Sequence, residues 1–96
     1  MTASPETRVL RSVTIVNQRG LHARAAAKFV KLAERFEAEV AVRRRETLVT
    51  GTSIMGLMML AAGPGTRLDL LASGPEAEAA VAALETLVVN RFDEDA

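Results

Sequence analysis

The only histidine of the chain, His22, lies in the sequence Gly-Leu-His-Ala-Arg-Ala-Ala over residues 20–26. Because the alanines and Arg24 favour helix, His22 is predicted to stand immediately before a helix start. Backbone N–H groups at such a start attract anions, and the Arg24 guanidinium could bind phosphate. The positive end of the helix dipole and the charge of Arg24 also disfavour a protonated imidazole, so a ring nitrogen stays free for nucleophilic attack. His22 is therefore a candidate phosphoryl acceptor that Arg24 supports.

A lone histidine can equally be a surface or capping residue without chemical function, because a His-x-Arg pair alone is a weak motif. A second segment, Thr-Ser-Ile-Met-Gly-Leu-Met-Met-Leu over residues 52–60, supplies context. Together the two segments resemble the HPr family, the phosphocarriers of the bacterial phosphoenolpyruvate-dependent phosphotransferase system. The resemblance runs from Val9 to Val89 and so covers nearly the whole chain.

This resemblance implies roles for particular residues. His22 would be the phosphorylated histidine, with Arg24 as the arginine that supports it. Ser53 would be the regulatory serine that a dedicated kinase, the HPr serine kinase/phosphorylase, modifies in many members. The residues that align with the partner-docking patch of the family are Ile54, Met55 and Met58. Enzyme I would donate the phosphoryl group and an enzyme IIA type protein would accept it, with no bound cofactor.

The chain departs from the usual family sequence at one position near His22. The family commonly has proline where this chain has Ala25. Proline is favourable in the first turn of a helix because its missing N–H would be unpaired there anyway. Alanine should therefore loosen the helix start slightly without removing a chemical group, and its presence favours the nitrogen-related branch of the family over the sugar-transport branch.

The segment 54–61 is apolar on two neighbouring arcs of a helix at about 100° per residue. A small domain would ordinarily bury such residues, and Leu57, Leu60 and Ala61 can serve the core. The other arc comprises Ile54, Met55, Met58 and Met59. We expect this second arc to be exposed, because flexible thioethers suit a surface that docks several partners in turn. Ala27 and the basic Arg24, Lys28 and Lys31 of the preceding helix would border it and meet acidic partners.

Composition limits the classes of protein that fit. A length of 96 residues suits a single domain over 1–96, with an ordered core expected at about 9–91 and short polar tails. Because the chain has no cysteine and one histidine, no metal site is expected. The 12 basic and 12 acidic residues give a net charge of zero, so no overall electrostatic attraction to nucleic acid or anionic membranes is expected. No apolar run is long enough to span a bilayer, and residues 1–8 lack a signal-peptide core, so we expect a cytoplasmic protein. We also expect it to be a monomer.

Hydrophobic periodicity predicts the elements that position these residues. Strand-like alternation covers residues 9–16, a hairpin covers 40–49 and another strand covers 66–72. Helical spacing covers 23–36. Ser-Gly-Pro at 73–75 opens a last helix, with Pro75 in its first turn and a stripe of Ala77, Val81, Leu84 and Val88. With the short middle helix, the order is βαββαβα. We therefore predict an α+β fold, a single four-stranded antiparallel sheet covered on one face by three helices, which the resemblance identifies as an HPr-like open-faced sandwich.

Two other functions are open at this point. The arginines at 43–45 could bind nucleic acid, although the three aromatic residues are all Phe and a solvated hairpin tip explains the arginines as well. Alternatively, the chain could be a regulatory adaptor that docks without transferring phosphate, but the presence of His22 and Arg24 argues against this. The preferred interpretation is a phosphoryl-group carrier with a phosphohistidine intermediate, which is a transferase component and not an independent turnover catalyst.

Overall fold

The computed structural model describes residues 8–96, and the predicted polar tail at 1–7 lies outside them. The elements follow the expected order. They are β1 (Arg8–Thr14), α1 (Ala23–Ala33), β2 (Glu39–Arg44), β3 (Thr47–Thr50), α2 (Ile54–Met59), β4 (Arg67–Ser73), α3 (Ala77–Val89) and a 3-10 turn at Arg91–Asp93. None of the helices formed by residues 8–96 has the length and apolar character needed to cross a membrane.

The four strands form one antiparallel sheet in the order β1-β4-β2-β3, so the predicted fold class is confirmed. Strand β4 is central because it pairs with both β1 and β2. Its alternate residues Leu68, Leu70 and Ala72 are buried. The helices supply the other half of the core, since α1 buries Ala26, Phe29, Val30 and Ala33 and α3 buries Ala77, Val81, Leu84 and Val88.

Both long helices are shorter than the periodicity predicts. Helix α1 ends at Ala33 instead of Phe36, because the N–H groups of Arg35 and Phe36 bond carbonyls three residues back, at 3.1 and 3.3 Å, and tighten the chain into a turn. Helix α3 begins at Ala77 with Glu76 as its N-cap, so Pro75 precedes the helix instead of occupying its first turn.

The hairpin between β2 and β3 closes through a two-residue turn. Arg44 pairs with Thr47, and Arg45 takes a left-handed φ of 54° where glycine is usual. Arg43 binds Asp69 at 2.9 Å, and Arg44 donates to the Leu60 carbonyl at 2.8 Å. Two of the three clustered arginines therefore bind protein groups, which weakens the nucleic-acid alternative.

The expectation that residues 92–96 form a polar tail outside the ordered core is wrong. The ring of Phe92 is completely buried in the core, and Lys28 Nζ donates to the Phe92 carbonyl at 2.7 Å. Arg91, Phe92 and Asp93 adopt left-handed φ angles of 59°, 53° and 64°. Each such residue costs roughly 1–2 kcal/mol, and burial of a large aromatic ring offsets part of that cost. The ordered chain therefore continues beyond residue 91, and its last residues turn back toward α1.

Candidate functional site

His22 is the N-cap residue of α1, as predicted. Its backbone is extended, with φ −76° and ψ 178°, and its side chain makes no capping hydrogen bond. The first intrahelical bond runs from the Ala26 N–H to the His22 carbonyl at 2.8 Å. The N–H groups of residues 23–25 therefore lack intrahelical partners. Together with the helix dipole, they make this helix start favourable for an anion beside the imidazole.

The loop before His22 is fixed by a close approach to the segment after α2. The Leu21 N–H donates to the Ala62 carbonyl at 2.8 Å, and Gly20 has a φ of 66°. A Cβ atom at Gly20 would lie 2.3 Å from the Ala62 carbonyl oxygen, so only glycine fits. The fully buried Asn17 adds a bond from its Nδ2 to the Gly20 carbonyl at 2.8 Å. The backbone that presents His22 is thus held from two directions.

Glu94 is the hydrogen-bond partner of the His22 ring. The Nε2 atom of His22 contacts Glu94 Oε2, and Asn17 Nδ2 donates to Glu94 Oε1 at 3.0 Å. The side chains of His22 and Glu94 are only 16% and 19% exposed. Burial raises the pKa of Glu94, but the hydrogen bonds from His22 and Asn17, with the charges of His22 and Arg19, lower it below its ordinary value overall. Glu94 is therefore ionised at neutral pH.

Sequence reasoning missed both Asn17 and Glu94. Glu94 lies 72 residues from His22 along the chain, in a segment whose polar composition indicates a tail. The signal that could have identified this segment is Phe92, because an isolated large apolar residue among acidic ones indicates an anchor.

Arg24 lines a cleft together with Glu94, the hydrogen-bond partner of His22. The cleft has a volume of about 360 Å³ and is lined by the basic Arg19, Arg24 and Lys28 together with the C-terminal residues 93–96. The Arg24 side chain is exposed, as expected for a group that meets phosphate. Lys28 is half-buried, and its ammonium group donates to the Phe92 carbonyl. The structure thus brings Arg24 and His22 to one region through their shared neighbour Glu94.

The residues around α2 form a second local site. Ser53 is the N-cap, and its Oγ accepts from the Gly56 N–H at 2.9 Å. The expected exposure is confirmed, since Ile54, Met55 and Met58 are 42%, 74% and 44% exposed. Of the arc expected in the core, Leu57 and Leu60 are buried, but Ala61 lies beyond the end of α2 and is exposed. Helix α2 packs against α1, on which Ala27 is half-buried and Lys31 is exposed. Across residues 8–96 no hydrogen bond joins Ser53 to His22, so these are two sites on neighbouring helices.

Known proteins are similar to this chain in both fold and sequence. Residues 9–90 match the family model described as the PTS HPr component phosphorylation site. The phosphocarrier protein HPr of Pseudomonas aeruginosa is 54% identical over 83 residues, which cover 85% of this chain and 92% of that protein. The phosphocarrier protein NPr of Shewanella violacea is 44% identical over 88 residues, covering 92% and 97%.

A solved structure agrees with the sequence relatives. The crystal structure of HPr from Thermoanaerobacter tengcongensis superimposes with a TM-score of 0.87 at 36% identity, covering 92% of this chain and 99% of that one. The matched region includes the histidine at the start of α1 and the serine that caps α2. This chain therefore belongs to the HPr family, the phosphocarrier proteins of the bacterial phosphotransferase system.

Proposed function

We propose that this protein accepts a phosphoryl group from phospho-enzyme I on His22 and passes it to an enzyme IIA type acceptor. The observation that carries the proposal is the position of His22 at the unpaired start of α1, two residues before the exposed Arg24, inside the segment that matches the phosphorylation-site model. We propose further that it acts in the cytoplasm as a single-domain monomer without a bound cofactor.

The chemistry requires a nucleophile that is also a good leaving group. A ring nitrogen of His22 attacks phosphorus in the first step and leaves it in the second. The N–H groups at the start of α1 and the Arg24 guanidinium stabilise the phosphoryl oxygens during both steps. The protein contributes position and charge, while the donor and acceptor proteins contribute the other reacting atoms.

A relay assay tests this proposal. Labelled phosphoenolpyruvate and enzyme I are incubated with an enzyme IIA acceptor, with and without this chain. We expect label in the acceptor only when the chain is present. Binding of the acceptor without transfer of label would support the alternative function, a regulatory adaptor that acts by docking.

We propose that the exposed arc of α2, with Ile54, Met55 and Met58, docks the partner proteins beside Ala27, Lys28 and Lys31 of α1. Replacing Met58 by Glu should weaken enzyme I binding about tenfold, because a charge would enter an apolar contact. The melting temperature should change little, since Met58 is 44% exposed and its loss leaves no cavity. Titration calorimetry and thermal unfolding measure the two effects.

The matched control is Leu48→Glu. Leu48 is 59% exposed on β3, a strand at the edge of the sheet, and is not part of the proposed docking surface. This variant should bind enzyme I as the unchanged chain does. A large fall in melting temperature for Met58→Glu would place Met58 in the core and remove it from the docking surface.

We propose that a serine kinase regulates the chain at Ser53. A phosphate there would lie at the favourable end of the α2 dipole, but it would place about two negative charges beside Ile54 and Met55. Ser53→Asp should therefore keep its melting temperature, because aspartate is itself a good N-cap, yet accept phosphate from enzyme I more slowly. Thermal unfolding and acceptance kinetics provide the measurement.

Two further variants separate capping from charge. Ser53→Asn keeps a capping side chain without charge and should accept phosphate normally. Ser53→Ala loses the bond to the Gly56 N–H and about 1 kcal/mol of stability, but it should remain a good acceptor. If Ser53→Asp accepts phosphate as fast as Ser53→Asn, the serine is only a cap.

A further inference from the structure

The C-terminal segment 91–96 lies beyond the part of the chain that the family model matches, which ends at residue 90. This segment supplies Glu94, whose carboxylate contacts Nε2 of His22. Building on the proposed function, we propose that Glu94 is a positioning residue for phosphoryl transfer. It holds His22 in the tautomer with a free lone pair on Nδ1, and it balances the charge that the ring gains on phosphorylation.

The placement of Glu94 is fixed by contacts on both sides of it. The preceding Phe92 is completely buried, and its carbonyl accepts from Lys28 Nζ at 2.7 Å. The following Ala96 accepts through its carbonyl from the Gln18 N–H at 3.0 Å. The segment begins with three consecutive left-handed residues, at 91–93, a costly conformation that persists only where surrounding contacts determine it. Glu94 is therefore held at His22 by the fold of the segment.

Asn17 sets which atoms of Glu94 face the imidazole. Its Nδ2 donates both to the Gly20 carbonyl at 2.8 Å and to Glu94 Oε1 at 3.0 Å, which leaves Oε2 for His22. The Asn17 amide cannot be reversed without placing its oxygen against the Gly20 carbonyl oxygen and Glu94 Oε1. The buried amide thus links the loop before His22 to the C-terminal segment.

The contact between the Glu94 carboxylate and Nε2 determines the tautomer of His22. An ionised carboxylate only accepts hydrogen bonds, so Nε2 must carry the proton that it shares with Glu94. In the neutral ring Nδ1 then has no proton, and its lone pair is free to attack phosphorus. The carboxylate also orients the ring, as the carboxylate partner of a catalytic histidine does in hydrolases.

Phosphoryl transfer to Nδ1 does not require the proton on Nε2 to move. The Nδ1 lone pair forms a bond to phosphorus while the bond from phosphorus to the donor atom of phospho-enzyme I breaks, and the donor atom keeps the electron pair. The ring now bears a phosphoryl group on Nδ1 and a proton on Nε2, so it is formally cationic beside the Glu94 carboxylate. Transfer to the acceptor reverses these changes and restores the neutral ring.

Glu94→Gln tests the role of the carboxylate because it reverses donor and acceptor in the hydrogen bond between residue 94 and Nε2 of His22. Asn17 Nδ2 requires the amide oxygen of the new glutamine, so the amide NH₂ must face Nε2 of His22 and donate to it. The ring proton should then move to Nδ1, which blocks the nucleophile. We expect nitrogen-15 NMR of the neutral ring to show a proton on Nε2 in the unchanged chain and on Nδ1 in the variant. The rate constant for acceptance from phospho-enzyme I should fall about 10- to 100-fold, with the enzyme I concentration for half-maximal rate unchanged.

Glu78→Gln makes the same chemical change at an exposed position of α3 and should leave both the tautomer and the rate unchanged. An unchanged tautomer and rate in Glu94→Gln would overturn the proposal. Faster acceptance would also overturn it, by showing that the segment covers His22 instead of positioning it. If the unchanged chain accepts no phosphate, the proposed function itself fails, and the tautomer measurement still decides whether Glu94 sets the ring.

Discussion

Replacing His22 by alanine should abolish phosphoryl acceptance from phospho-enzyme I while leaving the fold intact. The imidazole is the proposed nucleophile, and the other groups at the start of α1 can bind phosphate without forming a bond to it. The ring makes no capping bond, and its hydrogen bond to Glu94 is partly exposed, so the loss of stability should be about 1 kcal/mol. Incorporation of labelled phosphate and thermal unfolding measure these two results.

Arg24→Ala is the matched comparison for His22→Ala. It keeps the nucleophile but removes the exposed guanidinium from the cleft beside it, so it should fold normally and accept phosphate more slowly. Label that persists in His22→Ala would place the phosphoryl group on another residue. An unchanged rate in Arg24→Ala would remove that arginine from the mechanism.

Gly20→Ala should destabilise the protein more than any surface change near the site. The new Cβ would lie 2.3 Å from the Ala62 carbonyl oxygen and 2.9 Å from the Gly63 Cα, both backbone atoms that cannot rotate away. The left-handed φ of 66° adds strain of roughly 1–2 kcal/mol. We expect a loss of about 2–4 kcal/mol in the free energy of unfolding and slower acceptance at His22, two residues along the chain. Urea unfolding and the acceptance rate are the measurements.

Two other glycines separate strain from steric overlap. Gly65→Ala introduces strain alone, because φ is 86° and no atom lies within 4 Å of the new Cβ. Gly63→Ala introduces neither and should be close to neutral. If Gly20→Ala unfolds at the same urea concentration as Gly63→Ala, the loop before His22 is not held as described.

The features that the sequence predicts correctly depend on local patterns. The stripe of Phe29, Val30 and Ala33 follows the helical period, and Ser53 precedes the apolar turn that it caps. The exposure of Met55 and Met58 could be predicted because a short helix in a small domain cannot bury two apolar arcs. Each of these inferences needs only residues within a few positions of one another.

The features that the sequence does not predict depend on contacts between distant segments. The pair of His22 and Glu94 joins residues 72 positions apart, and Asn17 contributes only because the fold places it between them. Helix α1 ends at Ala33 because the N–H groups after its C-cap bond carbonyls three residues back instead of four, and apolar periodicity does not distinguish these two patterns. The acidic composition of 93–96 indicates a solvated tail, and the burial of Phe92 overrides that indication.

Mass spectrometry of the unchanged chain after incubation with enzyme I and phosphoenolpyruvate tests the central claim most directly. A nitrogen–phosphorus bond is labile in acid, whereas a serine phosphate survives it, so fragmentation before and after acid treatment distinguishes the two. We predict one acid-labile phosphate per chain, located on His22. Phosphate that resists acid, or acid-labile phosphate on any fragment without His22, would contradict the assignment of His22 as the carrier.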